Sequence, residues 1–213
     1  QEAKEARKAM DAQIKKIITS KVIDDLVKLA NIDQEKYTKF WDSFGFFIKE
    51  GLATDMEYYD QILPLLRFKT VKNNEWQSLD DYMDNFVEEQ KKIYFIVGED
   101  FDTLKNSPHL EAFKDRDIDV VIFSEPVDPF MLMRLKSYKD IELVNVTSKE
   151  LDLPEKQSEG TEETETQIAP ENINEVLTFF KTTLGERVKE VRTTDQLVES
   201  PARLVDADDS PSK

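Results

Sequence analysis

At 213 residues the chain is long enough for a sizeable core, organised as one large domain or two small ones. A formal net charge of -16 removes any general electrostatic case for nucleic acid or an anionic membrane surface as partner. The absence of cysteine excludes disulfides, thiol nucleophiles and thiolate metal sites; no run approaches the roughly 18 apolar residues of a membrane span, and no signal peptide opens the chain.

The chain starts on Gln1 inside an already helical pattern, so it is expected to be a piece of a longer protein. From Ala3 to Ala30, Met10, Ile14, Ile17, Ile18, Val22, Ile23, Leu26 and Leu29 fall at helical spacing with no Gly or Pro between them. This helix is mildly basic, with seven Lys/Arg against five Asp/Glu up to Ala30. Asn31 and Asp33 supply turn and N-cap chemistry for a second helix. That helix carries Tyr37, Phe40, Trp41, Phe44, Phe47 and Ile48 as an aromatic stripe, with Lys49 in its last turn and Gly51 just beyond its end. The stripe reads as core packing in preference to a ligand cage, and the two helices as a hairpin packed on itself and on a sheet.

Pro64 interrupts the irregular stretch from Asp55 to Phe68, and Val71 to Gln77 is polar and turn-like. Ser78-Leu-Asp-Asp81 resembles a capping box with Asp in place of Glu, opening a helix through Met83, Phe86 and Val87. Three short apolar runs follow: Ile93 to Val97, Asp119 to Phe123 and Ile141 to Val146. Runs buried on both faces suit parallel strands, and the intervening segments are long enough for helical crossovers. Ser107-Pro108 and Asp128-Pro129 each read as an N-cap followed by proline at the first helical position.

Between Lys149 and Pro170 seven Asp/Glu face two Lys, a composition that cannot bury enough apolar surface to order itself. Beyond it, Ile173, Val176, Leu177, Phe180 and Leu184 mark an amphipathic helix stopped by Gly185. Val188 to Arg192 and Ala202 to Val205 read as short strands, and Asp206 to Lys213 as a frayed acidic tail. The expected organisation is α/β: a helical hairpin or coil over 1–52, and a small three-layer α/β/α domain with a short parallel sheet over 53–148. An acidic flexible linker over 149–170 and a truncated α+β piece over 171–213 complete it.

A nucleotide site at the turn after the first strand fails on chemistry. Gly98-Glu-Asp-Phe101 offers one glycine and two acids where a phosphate cradle needs several glycines and no negative charge. His109, the sole histidine, has no Gly-x-Ser-x-Gly elbow to join, and no carboxylates show the spacing of an EF-hand or a helical metal pair. No catalytic, cofactor-binding or metal-ligating residues are assigned, and the chain reads as a binding or scaffolding module. A free-standing α/β enzyme with a small-molecule site at the carboxyl ends of the strands is the alternative. Phe130-Met-Leu-Met133 stands apart, because four consecutive apolar residues on a helix turn by about 100° each and cannot share one core face. Either the helix is buried on two sides, or part of this cluster is exposed for recognition, for which flexible Met beside an aromatic is suited.

Several strings, taken together, carry a family resemblance. They are Lys36-Tyr-Thr-Lys-Phe-Trp-Asp-Ser-Phe-Gly45 with Ile48-Lys-Glu-Gly51, Leu65-Leu-Arg-Phe68 and Ser78-Leu-Asp-Asp-Tyr82. Further on come Gln90-Lys-Lys-Ile-Tyr94, Ser107-Pro-His-Leu110, Glu125-Pro-Val-Asp128, Leu184-Gly-Glu-Arg-Val-Lys-Glu-Val191 and Ser200-Pro-Ala202. Collinear over roughly residues 14 to 205, they resemble the heat-shock-90 chaperones in their bacterial form. The resemblance implies an ATP-driven, homodimeric, cytoplasmic chaperone that binds unfolded clients and can work with co-chaperones. This chain would be the second half of its middle domain and the start of its C-terminal domain. ATP with Mg would belong to an N-terminal domain absent here, so the chain alone is expected to hold no cofactor, to be inactive as an ATPase and to be monomeric. The family's arginine that reaches the ATP γ-phosphate falls at Glu2 in an ungapped register, and no residue is assigned to that role. The helix after the second strand is a client-contacting surface in the family. Its acid–aromatic pair falls at Pro129 and Phe130, with Asp128 beside it, which singles out Asp128, Phe130 and Met133 as client contacts.

Overall fold

The computed structural model describes residues 2–148, 151, 153–154, 170–194 and 197–205. These fall into two compact units: residues 1–86, 91–105 and 119–145 form the first, and 87–90, 106–118 and 146–213 the second.

The first unit opens with helix α1, Glu2–Ile32, followed by α2, Gln34–Thr54. Asp33 separates them as expected, its carboxylate accepting the Lys36 N–H at 3.1 Å. The hairpin is only partly a packed one. Ile23 and Ala30 near the end of α1 are buried, whereas Met10, Ile14, Ile17, Ile18 and Val22 along its earlier turns are exposed. On α2 the core reading of the aromatic stripe holds for Tyr37 and Trp41 and fails for Phe44 and Phe47, which are half exposed or more. The helix also runs past Gly51 to Thr54, so Gly51 is an interior residue and not the stop.

Helix α3, Tyr59–Ile62, passes into a 3-10 turn at Leu63–Leu65 that contains Pro64. Strand β1 is Lys69–Thr70, and α4, Leu79–Asp84, starts with the expected reciprocal capping box between Ser78 and Asp81. Strand β2, Ile93–Val97, leads through α5, Phe101–Lys105, and, after α6 (Glu111–Asp115), to β3, Val121–Phe123. Helix α7 is Asp128–Leu132, and β4, Ser137–Tyr138, and β5, Ile141–Asn145, close the unit.

The sheet order is β1-β3-β2-β5-β4. Its centre, β3-β2-β5, is parallel as the apolar runs predicted, and both edges are antiparallel. The edges escaped the sequence because each is two residues long, too short to show any period. Ile93, Phe95, Val121, Phe123 and Leu143 share one face and enter the main core, joined by the edge-to-face contacts of Phe123 with Phe68 (6.1 Å) and Phe95 (5.9 Å). Tyr37 anchors α2 to this core, its hydroxyl donating to the Leu65 carbonyl at 2.6 Å; burial pushes its pKa up to about 12. Between β4 and β5, Lys139 and Asp140 both have positive φ (47° and 66°), the geometry of a two-residue type I′ hairpin. That conformation is strained for both side chains. Asp140→Gly should raise the unfolding free energy by roughly 0.5–1 kcal/mol in urea titration while leaving the Lys139–Asp80 ion pair in place.

In the second unit, Ser107 caps the Pro108–Leu110 turn that precedes α6, as expected, and α8 spans Pro170–Leu184 before Gly185 at φ 55°. The Glu111 carboxylate accepts the backbone N–H groups of Val198 (2.8 Å), Glu199 (2.9 Å) and Ser200 (3.1 Å) and the Ser200 hydroxyl. These bonds, the Ser200 hydroxyl first, hold its pKa down at about 2. Neither 188–192 nor 202–205 forms a strand among the described residues. Most of the acidic 149–170 segment and the 206–213 tail lie outside the described residues.

Candidate functional site

Helix α7 splits the apolar cluster rather than burying it. Met131 and Leu132, with Leu135 beyond them, are buried in the main core. Phe130 is 64% exposed and Met133 is 72% exposed. Three residues apart, these two lie within about 60° of each other on a helix, so they form one outward face. One of the two readings left open by the sequence is thereby selected: half of the cluster is core and half is presented to solvent.

Asp128 does not share that exposure. It is the first residue of α7, preceded by Val127, and its side chain is fully buried. It therefore caps nothing and cannot touch a partner from where it sits, which corrects its place among the predicted contacts. One carboxylate oxygen accepts the Glu125 N–H at 2.9 Å, and the other lies 2.9 Å from the Lys49 ammonium. Burial pushes the Asp128 carboxyl above its usual range, with the Lys49 charge opposing that rise.

Lys49 is the residue that sequence reading missed. The sequence places it in the last turn of its helix; in the structure it sits inside α2 and is 3% exposed. Its ammonium also approaches the Glu125 carboxylate at 3.3 Å and lies 5.9 Å from the centre of the Phe123 ring. A signal for this existed, because Tyr37, Trp41, Gly45 and Lys49 recur every fourth residue and all four are buried. Among the described residues, Lys49 and Asp128 are the only charged side chains more than nine-tenths buried.

Further apolar surface lies on α2, where Phe44, Phe46 and Phe47 are exposed and Phe40 stacks on Phe44 at 5.3 Å. In the turn after β2 the Asp100 carboxylate accepts the Thr103 N–H at 2.7 Å. Among the described residues no three acids or histidines gather as a metal site, and no helix is long and apolar enough to cross a membrane.

A small mixed sheet backed by a helical hairpin, with apolar side chains exposed on a short helix, defines a mixed α/β domain. The family model described as Hsp90 protein matches residues 3–211, and the chain belongs to that family. Relatives named chaperone protein HtpG include one from Dechloromonas aromatica, 39% identical over 91% of this chain and 31% of its own length. Another, from Treponema denticola, is 38% identical over 94% of this chain and 32% of its own length. The chain thus spans about a third of the length of these relatives. Among solved structures, the middle domain of a Plasmodium falciparum heat shock protein matches with a TM-score of 0.60 and 36% identity, covering 64% of this chain and 58% of that one.

Proposed function

We propose that this chain is the part of an Hsp90-family chaperone that offers an apolar surface to unfolded segments of client proteins. The observation that carries this reading is the face of α7, which turns Phe130 and Met133 to solvent while Met131, Leu132 and Leu135 fill the core. Large exposed apolar side chains clustered on one element usually mark an interaction surface, and Met beside an aromatic can adapt to varied partners. The formal net charge of -16 favours client segments that combine apolar with basic residues, and makes their capture weaker as salt rises.

Support for a middle-domain assignment comes from the solved structure it resembles, whose title names a middle domain. The α1–α2 hairpin would then be its coil, residues 53–148 its small α/β part, and α8 with the residues after it the start of the next domain. ATP turnover, dimerisation and any co-chaperone docking are assigned to the remainder of a longer cytoplasmic protein. The test is titration of a fluorescent, unstructured apolar–basic peptide against the chain and its Phe130→Ala/Met133→Ala variant. Affinity should fall at least about tenfold in the variant, the loss typical of removing two central apolar contacts. Unchanged affinity would sink the reading.

A further inference from the structure

We infer that Lys49 is a positioning residue for that surface: the buried Lys49–Asp128 pair selects which two of the four apolar residues on α7 are presented to a client. What the selected face binds rests on the reading proposed above.

The need for such a device is visible in the helix itself. Apolar burial is non-directional, and Phe130, Met131, Leu132 and Met133 could each fill a core position of suitable shape. A five-residue helix has few backbone constraints of its own, so a turn of about 100° would bury Phe130 or Met133 and expose Met131 or Leu132 at small net loss of buried area. Packing alone does not choose the face.

The ion pair does. The Lys49 ammonium meets three successive points of the chain: the Phe123 ring at the end of β3, Glu125 in the following loop and Asp128 at the start of α7. The second oxygen of Asp128 is held by the Glu125 N–H. Rotating α7 would carry Asp128 away from an ammonium that is only 3% exposed, leaving the Asp128 carboxylate without its cation and Lys49 with Glu125 alone. Only one rotation keeps the pair, and it is the one that sets Phe130 and Met133 outward. Buried polar pairs that fix register act in this way in other helical assemblies.

The test uses the whole chain with labelled Met methyl groups and a soluble paramagnetic agent in NMR. In the unaltered protein the Met133 methyl should be relaxed strongly and that of Met131 protected. In Lys49→Met, which keeps the aliphatic stem and removes the charge, the ratio of the two effects should fall at least about twofold as other rotations of α7 become populated. Lys49→Met/Asp128→Asn strands no charge, so it should fold readily, and it should show the same loss of contrast. Wild-type contrast in the double variant would overturn the role of Lys49, whatever becomes of the peptide. Loss of contrast with peptide affinity unchanged would uphold that role and overturn the client reading of the Phe130 face.

Discussion

Lys49→Met is expected to lower the unfolding free energy by about 3–5 kcal/mol at neutral pH, because it leaves the Asp128 carboxylate buried without its cation. The loss should depend on pH in a defined direction. Burial raises the folded-state pKa of Asp128, and the Lys49 charge is the foremost influence holding that rise in check. A carboxyl with a raised folded-state value stabilises the fold below its unfolded value of about 3.9, and that contribution is lost as pH climbs through the folded value. Removing Lys49 lifts the folded value further. Both chains begin to lose stability near the unfolded value, but the variant goes on losing it to higher pH, so its deficit against the unaltered chain is largest at neutral pH. Urea denaturation at several pH values checks this: a deficit that stays flat, or grows towards acid, contradicts it. Replacing Asp128 by Asn in the same chain should recover most of the loss, since no charge is then stranded.

The features that could be read from the sequence were those with a local chemical cause. Asp33, Ser78 and Ser107 each cap a helix or turn through their own side chains. The continuous apolar run at Ile93 is the buried strand it reads as, whereas at Ile141 a strand forms but only Leu143 of it is buried. The exposed face at Phe130 and Met133 was legible for a related reason, since four successive apolar residues must break any single face. What escaped depended on distant parts of the chain. Periodicity shows which residues share a side of α1, but not whether anything covers it, so Met10 to Val22 looked like core and are exposed. Lys49 was assigned from its place near a supposed helix end, whereas its partners lie some eighty residues further along the chain, at Glu125 and Asp128. Asp128 was taken for a cap because Asp before Pro commonly caps, and the buried ammonium across from it gave the carboxylate a stronger claim.

Two glycines in α2 should respond to alanine with opposite signs. Helix propensity alone predicts that both Gly45→Ala and Gly51→Ala stabilise, by up to about 1 kcal/mol each. At Gly51 the new methyl would meet Ile62 Cδ1 at 3.4 Å, an ordinary contact, so the gain should be realised. At Gly45 it would fall 2.6 Å from Trp41 Cε2 and 2.8 Å from Trp41 Cδ2. The indole has little room to retreat, being 2% exposed, edge-on to Trp76 at 6.1 Å and packed against Tyr37 at 6.5 Å. Moving it would also disturb Trp76, whose Nε1–H donates to Asp42 at 2.6 Å. Overpacking of a close-packed site costs about 1–3 kcal/mol and can exceed that where neighbours are rigid, which outweighs the propensity gain. Gly45→Ala should therefore lower the denaturation midpoint and shift the tryptophan emission, while Gly51→Ala raises the midpoint and leaves emission unchanged. If both variants stabilise, Trp41 has space that the packing around it denies. If both destabilise, the helix interior at Gly51 is under a constraint other than contact with Ile62.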